Sequence, residues 1–212
     1  MRRPLRADEA YNEYVKDFYR KIEDYDWNEV TDNFKGLESF LHRSREQRLR
    51  ALIKQYGRGE HYLDVGCGTG LILRHLPAGA IGIDLNPRHI DRARNYAPQA
   101  SIEIGDAEHL RFSDRQFSTV VCTEVLEHLV HPEYALSEIY RVLQPGGVLI
   151  GSTPRQALLW RFRFLSSTHH HNEPFHNEFS HQELITLLSG FQIYLFQAGF
   201  FRANWYFVAE KQ

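Results

Sequence analysis

HYLDVGCGTGL, residues 61–71, is an apolar run that breaks into three alternating glycines. Tyr62, Leu63 and Val65 suit a short buried strand, with Asp64 near its end. Gly66, Gly68 and Gly70 then let the backbone turn sharply and approach a ligand, because no Cβ stands in the way. LILRHL, residues 71–76, reads as the start of a helix whose unpaired N–H groups and dipole face the same spot. Strand, glycine turn and helix in that order make a nucleotide-type cofactor loop.

The dinucleotide pattern G-x-G-x-x-G is not met, since the third glycine comes one residue early and Leu71 stands in its place. An acid inside the strand end, Asp64, suits a ligand ammonium better than a pyrophosphate. AIGID, residues 80–84, ends in Asp84, about 18 residues after Gly66, where an acid hydrogen-bonds a ribose diol. A third short strand, Ile102–Ile104, runs into Gly105-Asp106-Ala107, and an acid there can meet the exocyclic amine of an adenine. Ammonium, ribose and adenine amine together describe S-adenosylmethionine.

LDVGCGTG, GIDLNP, GDAEHLRFSDRQFSTVVCTEVLEHL and LSEIYRVLQPGGVLIGSTP, in this order, resemble the motifs of class I S-adenosylmethionine-dependent methyltransferases. The group that includes the ubiquinone and menaquinone biosynthesis methyltransferases is the most similar. The resemblance runs from about Leu49 to Pro154. It implies a Rossmann-like α/β sandwich: a seven-stranded, mostly parallel sheet with one antiparallel strand and a helical N-terminal extension. It also implies that S-adenosylhomocysteine is the product. The cofactor residues are then Asp64, Gly66, Cys67, Gly68, Gly70, Asp84, Leu85, Asp106 and Ala107, with Glu124 beside them.

The rest of the chain agrees. With 212 residues it can bury a proper core, and a formal charge of −2 gives no signal for nucleic acid. Two distant cysteines, Cys67 and Cys122, form no framework, which suits a reducing, cytoplasmic setting. No apolar run is long enough for a membrane span, and the N-terminus lacks the apolar core of a signal peptide. The pattern predicts a helical extension over residues 1–48 and the methyltransferase domain over 49–212, with a substrate-side insert at about 155–180. Strands are expected at Tyr62–Val65, Ile81–Asp84, Ile102–Ile104, Thr119–Thr123 and Val148–Ser152, and helices at Leu71–Leu76, Pro87–Tyr96 and Pro132–Leu143. Gln144–Gly147 reads as a turn before the fifth strand. Ser180 and Glu183 form a capping box opening a helix to about Ser189. Phe191–Gln197 and Asn204–Lys211 are strands too close together for a parallel crossover, so the last one pairs antiparallel.

CTEVLEHLVHPE follows the fourth strand and carries Glu124, Glu127 and His128 where open parallel sheets bind ligands. Three readings stay open. Glu124 packs beside the cofactor while Glu127 and His128 hold loops; or His128, titrating near neutrality, accepts a proton from the methyl acceptor. In the third, Glu124, Glu127, His128 and His176 bind a divalent cation, as in RNA ribose 2′-O-methyltransferases that carry a similar E-x-x-E-H. The second is preferred, with His128 and Glu124 as catalytic residues and no metal.

The insert interleaves Trp160, Phe162, Phe164 and Phe175 with Arg155, Arg161 and Arg163, and includes His169–His171. It can close over a hydrophobic or anionic substrate, or simply pack on the core. Tyr11, Tyr14, Val15, Phe18, Tyr19 and Ile22 recur at helical spacing, Tyr25 and Trp27 complete an N-terminal aromatic cluster, and Tyr11 and Tyr14 are candidates to cover the cofactor. The expected acceptor is a small, partly hydrophobic metabolite methylated on O, N or C. A cofactor-binding protein without transfer activity is the remaining alternative.

Overall fold

The computed structural model describes residues 9–22, 26–33, 36–155, 174–199 and 204–212. The expectations placed on Tyr25, Trp160–Phe164 and His169–His171 lie outside the described residues. Three helices lead: α1 (Glu9–Lys21), α2 (Trp27–Asp32) and α3 (Gly36–Tyr56), the last continuous across positions 48 and 49. Then come β1 (Tyr62–Val65), β2 (Ile81–Asp84), α4 (Pro87–Tyr96), β3 (Ser101–Ile104), β4 (Phe117–Thr123), α5 (Pro132–Val142) and β5 (Leu143–Pro154). The chain ends with α6 (His181–Leu187), β6 (Gln192–Ala198) and β7 (Asn204–Glu210).

The seven strands form one sheet in the order β3-β2-β1-β4-β5-β7-β6. β1 through β5 are parallel to one another, and β7 runs antiparallel to both β5 and β6. The chain moves outward from β1 to β2 and β3 on one side, then from β4 on the other. The β1/β4 junction is therefore the switch point at which open α/β sheets leave a crevice for ligands. Side-chain alternation divides the core between the two faces. Leu63, Val65, Val120 and Leu149 pack with Leu136 and Ile139 of α5 and Leu184 of α6. Tyr62, Val121 and Ile150 pack with Leu49 and Leu52 of α3 and Ile90 of α4.

Two local expectations need correction. The helix expected over Leu71–Leu76 is a single 3-10 turn, Leu73–His75. Pro77 follows immediately, so the segment has no room to propagate, and its Ile72 and Leu73 are spent on core burial. The glycine turn thus ends without a full helix behind it. Gln144–Gly147 is not a turn ahead of β5 but part of it: Leu143 already pairs with Phe117, and the register shifts before Val148 meets Thr119. Gly146, at φ +74°, supplies the left-handed residue that such a bulge requires. The capping box is present in full, with Ser180 and Glu183 each bonding the other's backbone N–H.

Candidate active site

The C-terminal ends of β1, β2 and β3 carry Asp64, Asp84 and Asp106 around the glycine turn. Gly66 and Gly68 sit at φ +70° and +53°, and a Cβ on Gly66 would run into Val125. The turn is fastened to its neighbour by the Cys67 N–H, which donates to the Ile83 carbonyl at 2.8 Å. The Gly68 N–H donates to Asp84 Oδ2 at 2.9 Å. Asp84 Oδ1 accepts from the Asn86 N–H at 2.8 Å and faces His89 Nδ1 at 3.3 Å. Leu85 is half-buried beside it and Ala107 is buried on the third strand's loop.

Asp64 differs from the other two acids. It is 1% exposed, and its Oδ2 has no hydrogen-bond partner. Burial, with Asp84 adding repulsion, pushes its carboxyl up to about 7. This carboxyl oxygen wants a cationic donor. Burial and the same two acids push the Cys67 thiol well up, so Cys67 is a small packed residue and no nucleophile.

Helix α1 lies over these strand ends. Its Lys16, 4% exposed, places Nζ 2.7 Å from Asp106 Oδ2 and 2.6 Å from Glu108 Oε2. Burial works against that charge, yet the two carboxylates outweigh it and hold the lysine above its ordinary value. Asp106 is buried in part, but Lys16 and the Glu108 N–H keep its carboxyl below the usual range. The far end of α1 is held by Asn86 Nδ2, which donates to the carbonyls of Tyr19 and Ile22. Tyr11 and Tyr19 donate their hydroxyls to the carbonyls of Pro174 and Phe175. Tyr14 does not cover the site: it is 59% exposed on the outer side of α1. Behind α1, Asn28 of α2 donates to the Thr69 carbonyl at 2.6 Å, and Trp27 rests against Gly68.

Glu124 closes β4 at φ +55°, a strained value for a residue with a Cβ. Its carboxylate accepts from Ser152 Oγ at 2.7 Å, from Asn204 Nδ2 at 3.0 Å, and from Arg45 of α3 at 3.0 Å. Glu127 is buried, takes the Thr153 hydroxyl at 3.1 Å, and is pushed well up by burial and by Glu124. His128 stands on the 3-10 turn Leu126–His128 with Nδ1 2.9 Å from the Tyr19 hydroxyl, and its ring meets that of the buried His176 at 5.3 Å. His128 Nε2 is 3.9 Å from Glu127. Among the described residues, the His, Cys, Asp and Glu ligand atoms that gather within 4.8 Å in threes belong to Asp106, Glu108 and His109. Glu124, Glu127, His128 and His176 are neighbours without forming such a group.

Lys16, Asn28, Arg45 and Asn86 escaped the sequence reading, which had Tyr19 only as one of the N-terminal aromatics. Only Asn86 carried a local signal, as the residue before Pro87, where its side chain caps α4 by accepting from the Arg88 N–H.

The chain is similar to known proteins. Residues 63–151 match the family model described as a methyltransferase domain. The ubiquinone biosynthesis O-methyltransferase of Coxiella burnetii is 36% identical over 121 residues, 53% of this chain and 52% of that protein. The sterol 24-C-methyltransferase erg6 of Schizosaccharomyces pombe is 30% identical over 167 residues, 65% of this chain and 44% of that protein. The chain spans about half the length of these curated relatives. Among solved structures, magnesium protoporphyrin IX methyltransferase (ChlM) from Synechocystis, with bound SAH, superposes at a TM-score of 0.69 and 17% identity. That match covers 94% of this chain and 99% of the other, and shows the shared fold. PH0226 protein from Pyrococcus horikoshii gives 0.69 and 21%, over 92% and 99%. No helix among the described residues is long and apolar enough to cross a membrane. Over residues 63–151 the chain thus matches the model of a methyltransferase domain, and its fold is shared with solved methyltransferase structures.

Proposed function

We propose that this protein transfers a methyl group from S-adenosylmethionine to O, N or C of a small, partly hydrophobic metabolite, leaving S-adenosylhomocysteine. Asp64 carries the reading. A buried carboxyl oxygen without a donor is costly, and the cofactor's ammonium is the donor it lacks. Asp84 and the Gly66–Gly70 turn with Cys67 hold the ribose side, Leu85 and Ala107 flank the adenine, and Asp106 accepts from its amine. When bound, the cofactor supplies a methyl group already activated by a sulfonium centre. The protein's task is then to exclude water, align the acceptor and take its proton.

His128 is the proposed proton acceptor. The Tyr19 hydroxyl donates to the Phe175 carbonyl, so the imidazole must donate at Nδ1 and keep its lone pair on Nε2. Glu124 lines the same end of β4. The reaction is proposed as metal-independent, because the Arg45 guanidinium already compensates Glu124. Residues 1–48 are proposed as the cap and 49–212 as the methyltransferase domain. A cytoplasmic location is supported by two buried, unpaired cysteines. The ubiquinone and sterol enzymes among the relatives support an apolar acceptor.

Calorimetry with S-adenosylmethionine, followed by product mass from metabolite extracts supplied with the labelled cofactor, tests the proposal. Absence of binding overturns it. Binding with no methylated product in any extract favours a cofactor-binding protein without transfer.

A further inference from the structure

Lys16 has no place in the cofactor or acceptor roles above, yet it is the most deeply committed charge on α1. The residue is 4% exposed and its ammonium bridges Asp106 and Glu108 at 2.7 and 2.6 Å. Glu108 is itself buried, and Asn12 Nδ2 donates to the same carboxylate oxygen at 2.8 Å. The apolar footing of α1 is small: Val15 packs with Val130 and Phe175, with Tyr11 and Tyr19 around them. A roof held largely by polar contacts lifts easily when water can replace them. Lifting α1, however, takes both Lys16 and Asn12 away from Glu108 and breaks the ion pair with Asp106, a loss that favours closure. Lys16 also fixes the orientation of Asp106, whose Oδ1 is taken by the Glu108 N–H.

We propose that Lys16 is a positioning residue: its ion pairs latch α1 over the strand ends, so the roof closes against the carboxylate assigned to the adenine. The role of Asp106 rests on the proposed cofactor reading, while the latch rests on the contacts of Lys16 alone. Lid closure and ligand binding then share one carboxylate and reinforce each other.

Hydrogen exchange of the full chain, free and with S-adenosylhomocysteine, tests this in the wild type, Lys16→Met and Lys16→Arg. In the wild type the ligand slows exchange in both the glycine turn and α1. Lys16→Met should speed α1 exchange about tenfold and abolish its slowing by ligand, with the glycine turn still protected. Its Kd for the ligand should rise about tenfold, and Lys16→Arg should restore most of both effects. Unchanged α1 exchange and affinity in Lys16→Met would overturn the latch. If that variant melts early, Lys16→Met/Glu108→Met removes the stranded carboxylate and is read the same way. A wild type that binds no S-adenosylhomocysteine sinks the cofactor reading instead. The latch is then judged on α1 exchange in the free protein, where equal rates in wild type and Lys16→Met refute it.

Discussion

Binding of a cationic ligand at Asp64 should release a measurable proton. With its carboxyl pushed up to about 7, Asp64 is roughly 90% protonated at pH 6 in the free protein. An ammonium seated on it favours the carboxylate, so binding at pH 6 should release about 0.9 proton, and about 0.1 at pH 8. The ligand's own amine stays charged at pH 6, since α-amino groups titrate near 8. Calorimetry at pH 6 in two buffers of different ionisation enthalpy reads this directly, and affinity should fall about tenfold per pH unit below 7. The free protein supplies the second half of the test. A carboxyl raised by folding contributes stability below its ordinary value near pH 4, and that contribution is lost as the pH rises towards 7. The cost above pH 7 is about 4 kcal/mol. Asp64→Asn should therefore melt higher than wild type at pH 8, bind the cofactor more weakly, and release no proton. Equal binding enthalpies in the two buffers at pH 6 would refute the reasoning.

Asp84→Ala should weaken cofactor binding by about 1–3 kcal/mol, because it removes the acceptor fixed by Gly68 and Asn86; calorimetry measures it. His128→Ala should lower kcat by about 10²–10⁴-fold with cofactor affinity unchanged, and a normal kcat would end its assignment as base. Exhaustive chelation should leave turnover intact. Loss of turnover restored by Mg²⁺ or Mn²⁺ would instead make Glu124, Glu127, His128 and His176 the ligands and favour a ribose hydroxyl as acceptor.

What was legible and what was not follow from the range of the interactions. β1, β2 and α4 begin and end as the pattern of apolar runs, glycines and Pro87 predicts, because each is decided within a few residues. The antiparallel ending was legible because Ala198 and Asn204 are too close for a crossover. The segment after the glycine turn was misjudged for the same local reason: its apolar residues look helical, but Pro77 and the core claim them first. The partners of the acids were hidden. Lys16 lies 90 positions before Asp106 in the chain, and Arg45 lies 79 before Glu124. No periodicity or motif announces such pairs, and they exist only once α1 and α3 are laid over the sheet.

Those distant pairs explain how one crevice can hold so many carboxyls. Asp106 and Glu108 are compensated by Lys16, Glu124 by Arg45, and Glu127 is driven towards its neutral form with Thr153 as partner. Asp84 spends its oxygens on backbone N–H groups of the glycine turn and of Asn86. In this set Asp64 and Glu108 each keep a buried oxygen without a donor, but Glu108 has Lys16 as its cation and Asp64 has none from the N-terminal helices. Had the acids served only to anchor the roof, Asp64 would be the cheapest to neutralise, since replacing it with an apolar residue would remove both desolvation and its repulsion with Asp84. On the proposed cofactor reading the ligand's ammonium balances it, beside a turn whose Gly66 and Gly68 are in left-handed conformations. On that reading Lys16 and Arg45 offset Asp106, Glu108 and Glu124, backbone N–H groups hold Asp84, and Asp64 receives the ligand's own charge.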